Sequence, residues 1–310
     1  MTRPPPAMIH DFVTDADVPA PPGRAACRCT LHSRRMFTGL LAGAGLAAAL
    51  PAAAQIPECK RSFAANLAPA ETIESQARLQ YQQMLQKAGE GRALAPAQHP
   101  QLQRLRYIAE RMIPFAPACN PRSRDWKWEV NLIGSKQINA FCMPGGKIAF
   151  FYGILAELQL DDDEVAVIMG HEAAHALLEH AREQLGKNVA TSGVLRLGAA
   201  LLGLGQVGDM GAQMLAQFAS LKFSRDDETQ ADRLGLLMAA QAGYDPRKGV
   251  SLWRKMTSTR RGAPPEMLST HPAGPTRIRD IEEKLPSVMP VWEQAGKPAR
   301  RFGPPPASGK

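Results

Sequence analysis

No uninterrupted apolar run in this 310-residue chain reaches the roughly 20 residues that a spanning helix needs, which argues against a protein of many membrane passes. Aromatic residues are scarce, at 6%, and no basic run is interleaved with them. The net charge of +8 is therefore read as a mildly basic solvated surface, and nucleic acid is not expected as a partner. Cysteines number five, and the spacing of Cys59, Cys119 and Cys142 is not that of metal ligands. Internal repeats are absent too, so solenoids and propellers drop out.

What is present begins near the N-terminus. Ser33-Arg34-Arg35-Met36-Phe37 leads into the uncharged stretch Thr38 to Leu50, and Pro51-Ala52-Ala53-Ala54 supplies small residues for cleavage. Residues 1–54 are thus expected to be an export signal, cut near Ala54, with a periplasmic destination. The Arg pair resembles a twin-arginine signal; an ordinary secretory signal with a fortuitous pair is the alternative. Cys27 and Cys29 fall in that removed segment. Cys59, Cys119 and Cys142 remain, and a disulfide between two of them is expected, with the pairing left open.

Residues 55–98 are expected to hold an amphipathic helix (Glu71 to Lys87) and a linker. A second helix runs from Leu102 to Met112 and stops at Pro114 and Pro117. Strands are expected over Trp126 to Ile133, Ile138 to Cys142 and Lys147 to Phe151, forming a small curved sheet. Asp161 with Glu164 approximates a capping box and opens the next helix. Val189 to Ser220 is apolar and glycine-punctuated; it could touch a membrane peripherally or bind a partner, but a packed helical hairpin is the plainer reading. Helices follow from Asp226 to Ala242, Pro246 to Met256 and Pro275 to Leu285. Residues 286–310, rich in proline, are expected to be a disordered tail. The fold class is α+β, mainly helical.

His171-Glu172-Ala173-Ala174-His175 carries the chemistry. Four residues along a helix rotate about 400° and rise about 6 Å, so both imidazoles leave one face, one turn apart. They can share one tetrahedral zinc. Glu172 lies about 100° around, within reach of a water at that zinc but badly placed as a ligand. Three fixed positions recur by chance about once in eight thousand starts, so the pattern needs support from a third ligand. A third His six residues beyond His175 is absent, because Leu178 and Ala181 occupy the relevant positions; His180 is off register and reads as a surface residue. Glu228 supplies the alternative, with Asp232 one turn on to accept a hydrogen bond from a ligand imidazole.

With those residues, the chain resembles the gluzincin metallopeptidases of the family containing the CAAX prenyl endopeptidases, the HtpX membrane proteases and the Oma- and BepA-type proteases. The likeness spans roughly residues 102–285 and rests on Asn139-Ala140-Phe141, Pro144-Gly145-Gly146, the His171 motif, Glu228 to Asp232, and Ser269-Thr270-His271-Pro272 with Arg277. It implies a zincin-like core over residues 99–285, one Zn2+ per chain, and unfolded envelope polypeptides as substrates. It further implies that an edge strand at Asn139 and Ala140 receives the substrate, and that His271 and Arg277 steady the oxyanion. His271 could instead occupy the open zinc position.

Overall fold

The computed structural model describes residues 59–192, 223–258, 266–271 and 275–306. Residues 1–54, expected to form an export signal, and most of the Val189 to Ser220 stretch lie outside the described residues, as does Pro272.

Three strands form a mixed sheet in the order β1-β3-β2. β1 (Glu129–Ile133) runs parallel to β3 (Lys147–Phe151), and β2 (Ala140–Met143) pairs antiparallel with β3. The ladder starts at Glu129 rather than Trp126, whose indole instead donates to Glu74 Oε1 at 3.1 Å. Successive side chains alternate between two cores, as a pleated strand requires. Val130, Leu132, Ile148 and Phe150 join the main core, whereas Ile133 and Ala149 face the other way.

The second face is covered by α1 (Ala70–Glu90) through Ala77, Tyr81 and Leu85. Tyr81 donates its hydroxyl to the Ile148 carbonyl at 2.5 Å and accepts from Asn131 Nδ2 at 3.1 Å. The first face packs on α2 (Pro100–Met112) and α4 (Asp162–Leu177), the short α3 (Tyr152–Glu157) linking sheet to α4. Cys59 and Cys119, 60 positions apart, form a disulfide, and Cys142 is the free thiol among the described residues. Closing a loop of that length restrains the unfolded chain by about 4 kcal/mol in the chain-entropy account.

After α4 come α5 (His180–Ser192), α6 (Arg225–Gln241), α7 (Lys248–Ser258), α8 (Glu266–Thr270) and α9 (Pro275–Gln294). The expected end at Leu285 is corrected. α9 passes Pro286 and Pro290 because Val288 buries itself against Leu237 and Ala240, with Leu285, Val291 and Trp292 alongside. Nor is the segment beyond it disordered as far as residue 306: the Phe302 and Gly303 amides donate to Asp162 at 2.8 and 3.2 Å, and Arg301 pairs with Asp163 at 2.8 Å. The tail thereby ties down the first turn of α4.

That first turn is a full capping box. Asp161 accepts from the Glu164 amide and Glu164 accepts from the Asp161 amide, each at 2.9 Å. Farther along, α4 crosses α6 with almost no side-chain spacer. A Cβ on Gly170 would stand 2.6 Å from the Gly235 carbonyl oxygen, and one on Gly235 would stand 2.6 Å from the His171 nitrogen. Contact this close is reachable only by residues without a Cβ. Gly235→Ala gains about 1 kcal/mol of helix propensity, but forcing a methyl between two backbones costs about 1–3 kcal/mol. A net loss of stability in denaturant unfolding is expected, and equal or greater stability would show that the crossing is not tight.

Candidate metal centre

His171 and His175 stand one turn apart on α4, as their spacing requires, and both are buried. Glu228, in the first turn of α6, and His271, just after α8, close on them from other directions. Four donor atoms, one from each of these residues, lie within 4.8 Å of one another. His171 Nε2 is 3.1 Å from His175 Nε2 and 3.2 Å from His271 Nδ1. Glu228 Oε1 is 2.9 Å from His271 Nδ1 and 3.4 Å from His175 Nε2. Donors about 2.0–2.1 Å from a tetrahedral centre stand about 3.3–3.4 Å apart, so this spacing suits one zinc-sized cation.

Protonation points the same way. Burial and Arg277 depress the His171 imidazole, but hydrogen bonds to Asp232 and Glu228 outweigh them and lift it to about 9. Burial drives His175 well below its ordinary value. Glu228 is held well below the carboxylate range, since the hydrogen bonds from His171, His175 and His271 overcome its burial. The cluster favours positive charge at its centre, and a proton and a metal ion would compete for that place.

Asp232 Oδ1 lies 3.0 Å from His171 Nδ1. Arg277 departs from expectation. Its Nε and Nη2 each donate to Asp232 at 2.8 Å, its Nη1 lies 2.5 Å from Glu228 Oε2, and its guanidinium covers the Trp253 ring at 3.5 Å. A guanidinium so engaged is a clamp on two carboxylates rather than a free oxyanion donor. Glu172 sits beside the donors, 3% exposed, with Oε1 lacking a hydrogen-bond partner among the described residues and His271 Nε2 at 3.7 Å. Burial pushes its carboxyl up, against the pull of His271 and His171.

Asn139 and Ala140 lie at the start of the outer strand of the sheet. The Asn139 carbonyl accepts from the Phe151 amide at 3.1 Å, and its side chain accepts from the Ala140 amide at 2.9 Å. β2 has no other strand partner among the described residues, although the Met267 amide donates to the Ile138 carbonyl at 3.3 Å.

His180 corrects the sequence reading: it is 2% exposed, not a surface residue. α4 ends at Leu177 with Leu178 as its cap, and Glu179 adopts a φ of 61°, costing on the order of 1 kcal/mol for a residue with a Cβ. The reversal brings His180 Nδ1 to 2.9 Å from His175 Nδ1. Nothing in a linear spacing rule foretells this, because a continuing helix would have carried His180 to another face. Phe223, which sequence also left unmarked, stacks on His175 with centroids 4.0 Å apart.

Paired histidines on one helix, a buried glutamate between them and a third acidic donor from a later helix define the class of zincin-type metallopeptidases. The chain matches Peptidase family M48 over residues 99–285, and it belongs to that family. It is 34% identical over 211 residues to the mitochondrial metalloendopeptidase OMA1 of Schizosaccharomyces pombe, covering 67% of this chain and 60% of the relative. The Arabidopsis thaliana protein of that name is 40% identical over 168 residues, or 54% of this chain and 33% of the relative. The beta-barrel assembly-enhancing protease of Yersinia pestis is 27% identical over 274 residues, or 84% and 54%. This chain thus spans less than two thirds of each of these relatives.

The expected periplasmic location is corrected by these likenesses. Relatives at 30–40% identity from two yeasts, a plant, cattle and humans are mitochondrial by name, while the barrel-assembly proteases match at 27%.

Asp232→Asn keeps the shape of the carboxylate but weakens its hold on His171. A metal affinity lower by about 10–100-fold is expected from chelator competition; affinity unchanged within twofold would remove Asp232 from the centre.

Proposed function

We propose that the chain is a zinc-dependent endopeptidase in which His171, His175 and Glu228 hold the ion and Glu172 handles the proton. When bound, such an ion supplies Lewis acidity to a peptide carbonyl and lowers the pKa of nearby water. Glu172 takes a proton from the attacking water and delivers it to the leaving amine nitrogen. No covalent intermediate is required. Arg277 holds Glu228 and Asp232 in register. The observation that carries this reading is the buried Glu172 carboxylate, one oxygen of which has no hydrogen-bond partner among the described residues, directly beside four converging donors. A purely structural metal site has no use for such a group.

The substrate enters as an extended strand along the free edge of β2, at Asn139 and Ala140, where backbone pairing tolerates many sequences. Misfolded or stalled polypeptides fit that mode and accord with the barrel-assembly function in the name of the Yersinia relative. The protease unit is residues 99–285, and α1 serves as the cover of its sheet. His271 acts as an exchangeable occupant of the fourth donor position, and it steadies the oxyanion once displaced.

A second reading is a client-binding assembly factor that keeps the metal but seldom cuts. Its support is the presence of His271 among the four donors, which leaves no open position.

In casein digestion, Glu172→Gln is expected to lose about 10²–10⁴-fold in turnover while retaining one zinc per chain by elemental analysis. Undiminished turnover would remove Glu172 as the base, and suppression of client aggregation by this variant would favour the second reading. His271→Ala is expected to raise basal casein turnover by freeing the fourth position; lower turnover would show that its part in catalysis outweighs its occupancy.

A further inference from the structure

The two imidazoles of α4 are supported differently. His171 presents Nε2 to the donor cluster and Nδ1 to Asp232. His175 also presents Nε2 to the cluster, but its Nδ1 faces a second imidazole, His180 Nδ1, at 2.9 Å. Two ring nitrogens at that distance share one proton, and there are two ways to place it. With the proton on His180 Nδ1, neutral His175 would carry its own on Nε2, aimed into the donors and blocking a ligand lone pair. With the proton on His175 Nδ1, the Nε2 lone pair is free for a cation. His180 is then the acceptor, and its remaining proton sits on Nε2.

That far nitrogen points towards α6. His180 Nε2 is 3.9 Å from Asp227 Oδ1, an ion-pair distance rather than a hydrogen bond, and has no hydrogen-bond partner among the described residues. Asp227 is itself fixed, since its Oδ2 accepts from the Ser224 amide at 2.8 Å while Ser224 Oγ accepts from the Asp227 amide at 3.2 Å. A negative carboxylate there favours the proton on His180 Nε2 and so leaves Nδ1 as acceptor. The left-handed Glu179 between α4 and α5 is what delivers His180 to this place, and its carboxylate is held by Arg182 Nη1 at 2.5 Å. A strained residue kept by a buried ion pair marks a position with a task.

We propose that His180 is a positioning residue for the metal centre, which with Asp227 fixes His175 in the tautomer that exposes Nε2. α6 then serves both ligand imidazoles: Asp232 orients His171 directly, and Asp227 orients His175 through His180. The inference rests on metal binding by His171, His175 and Glu228.

Zinc affinity by chelator competition is compared for the wild type, His180→Phe and His180→Asn, whose side-chain oxygen can stand near the place of Nδ1. His180→Phe is expected to bind about 10–100-fold more weakly, and His180→Asn within a few-fold of the wild type. Equal affinity in all three, or equal loss in both variants, overturns the proposal. Nitrogen-15 chemical shifts of the imidazoles in the zinc-loaded wild type decide the matter even if His180→Phe does not fold. A proton on His180 Nε2 supports it; one on His180 Nδ1 overturns it while leaving the endopeptidase reading intact. A wild type that binds no zinc sinks both.

Discussion

The backbone contact between α4 and α6 at Gly170 and Gly235 governs everything that follows. His171 is the next residue after Gly170, and Glu228 lies two turns before Gly235 on α6. Close approach at the two glycines sets how near a carboxylate from one helix comes to imidazoles on the other. A methyl between them would push α6 outward by a fraction of the donor spacing, and donor spacing is what a small cation reads. Core packing and metal geometry are one constraint here.

Concentrating charge in a buried place carries a desolvation penalty, and the surrounding residues offset it. Glu172, Glu228, Asp232, three histidines and Arg277 lie together with little solvent contact. Arg277 answers the two carboxylates of α6 and rests on the Trp253 face, so its own charge is satisfied on several sides. Burial raises Glu172, while its neighbours hold Glu228 and Asp232 below their ordinary range. Two kinds of carboxylate thus coexist within one cluster: one retained near a proton, the others kept as permanent anions. That division suits a base beside a set of ligands.

Much of this was legible in the chain. The capping box at Asp161 and Glu164 and the helical spacing of His171 and His175 were readable because both depend on neighbours three or four residues away. Glu228 and Asp232 were readable as one face of a later helix. The disulfide pairing was not, because it depends on where the N-terminal segment lies against the residues after α2. The proline-rich end misled for a related reason. Pro286 and Pro290 signal a broken helix locally, and the burial of Val288 against α6 overrides that signal.

By itself the amino-acid sequence determined the residues of the metal motif, the helices that carry them and the class of chemistry they support, since those follow from periods of three and four residues along a single element. Tertiary structure alone decided that His180 turns inward and that Arg277 clamps Asp232 and Glu228 instead of standing free. Each outcome depends on a crossing of helices or a single left-handed residue, and the contacts made there join residues tens of positions apart or reverse the chain at one peptide. No local periodicity encodes them.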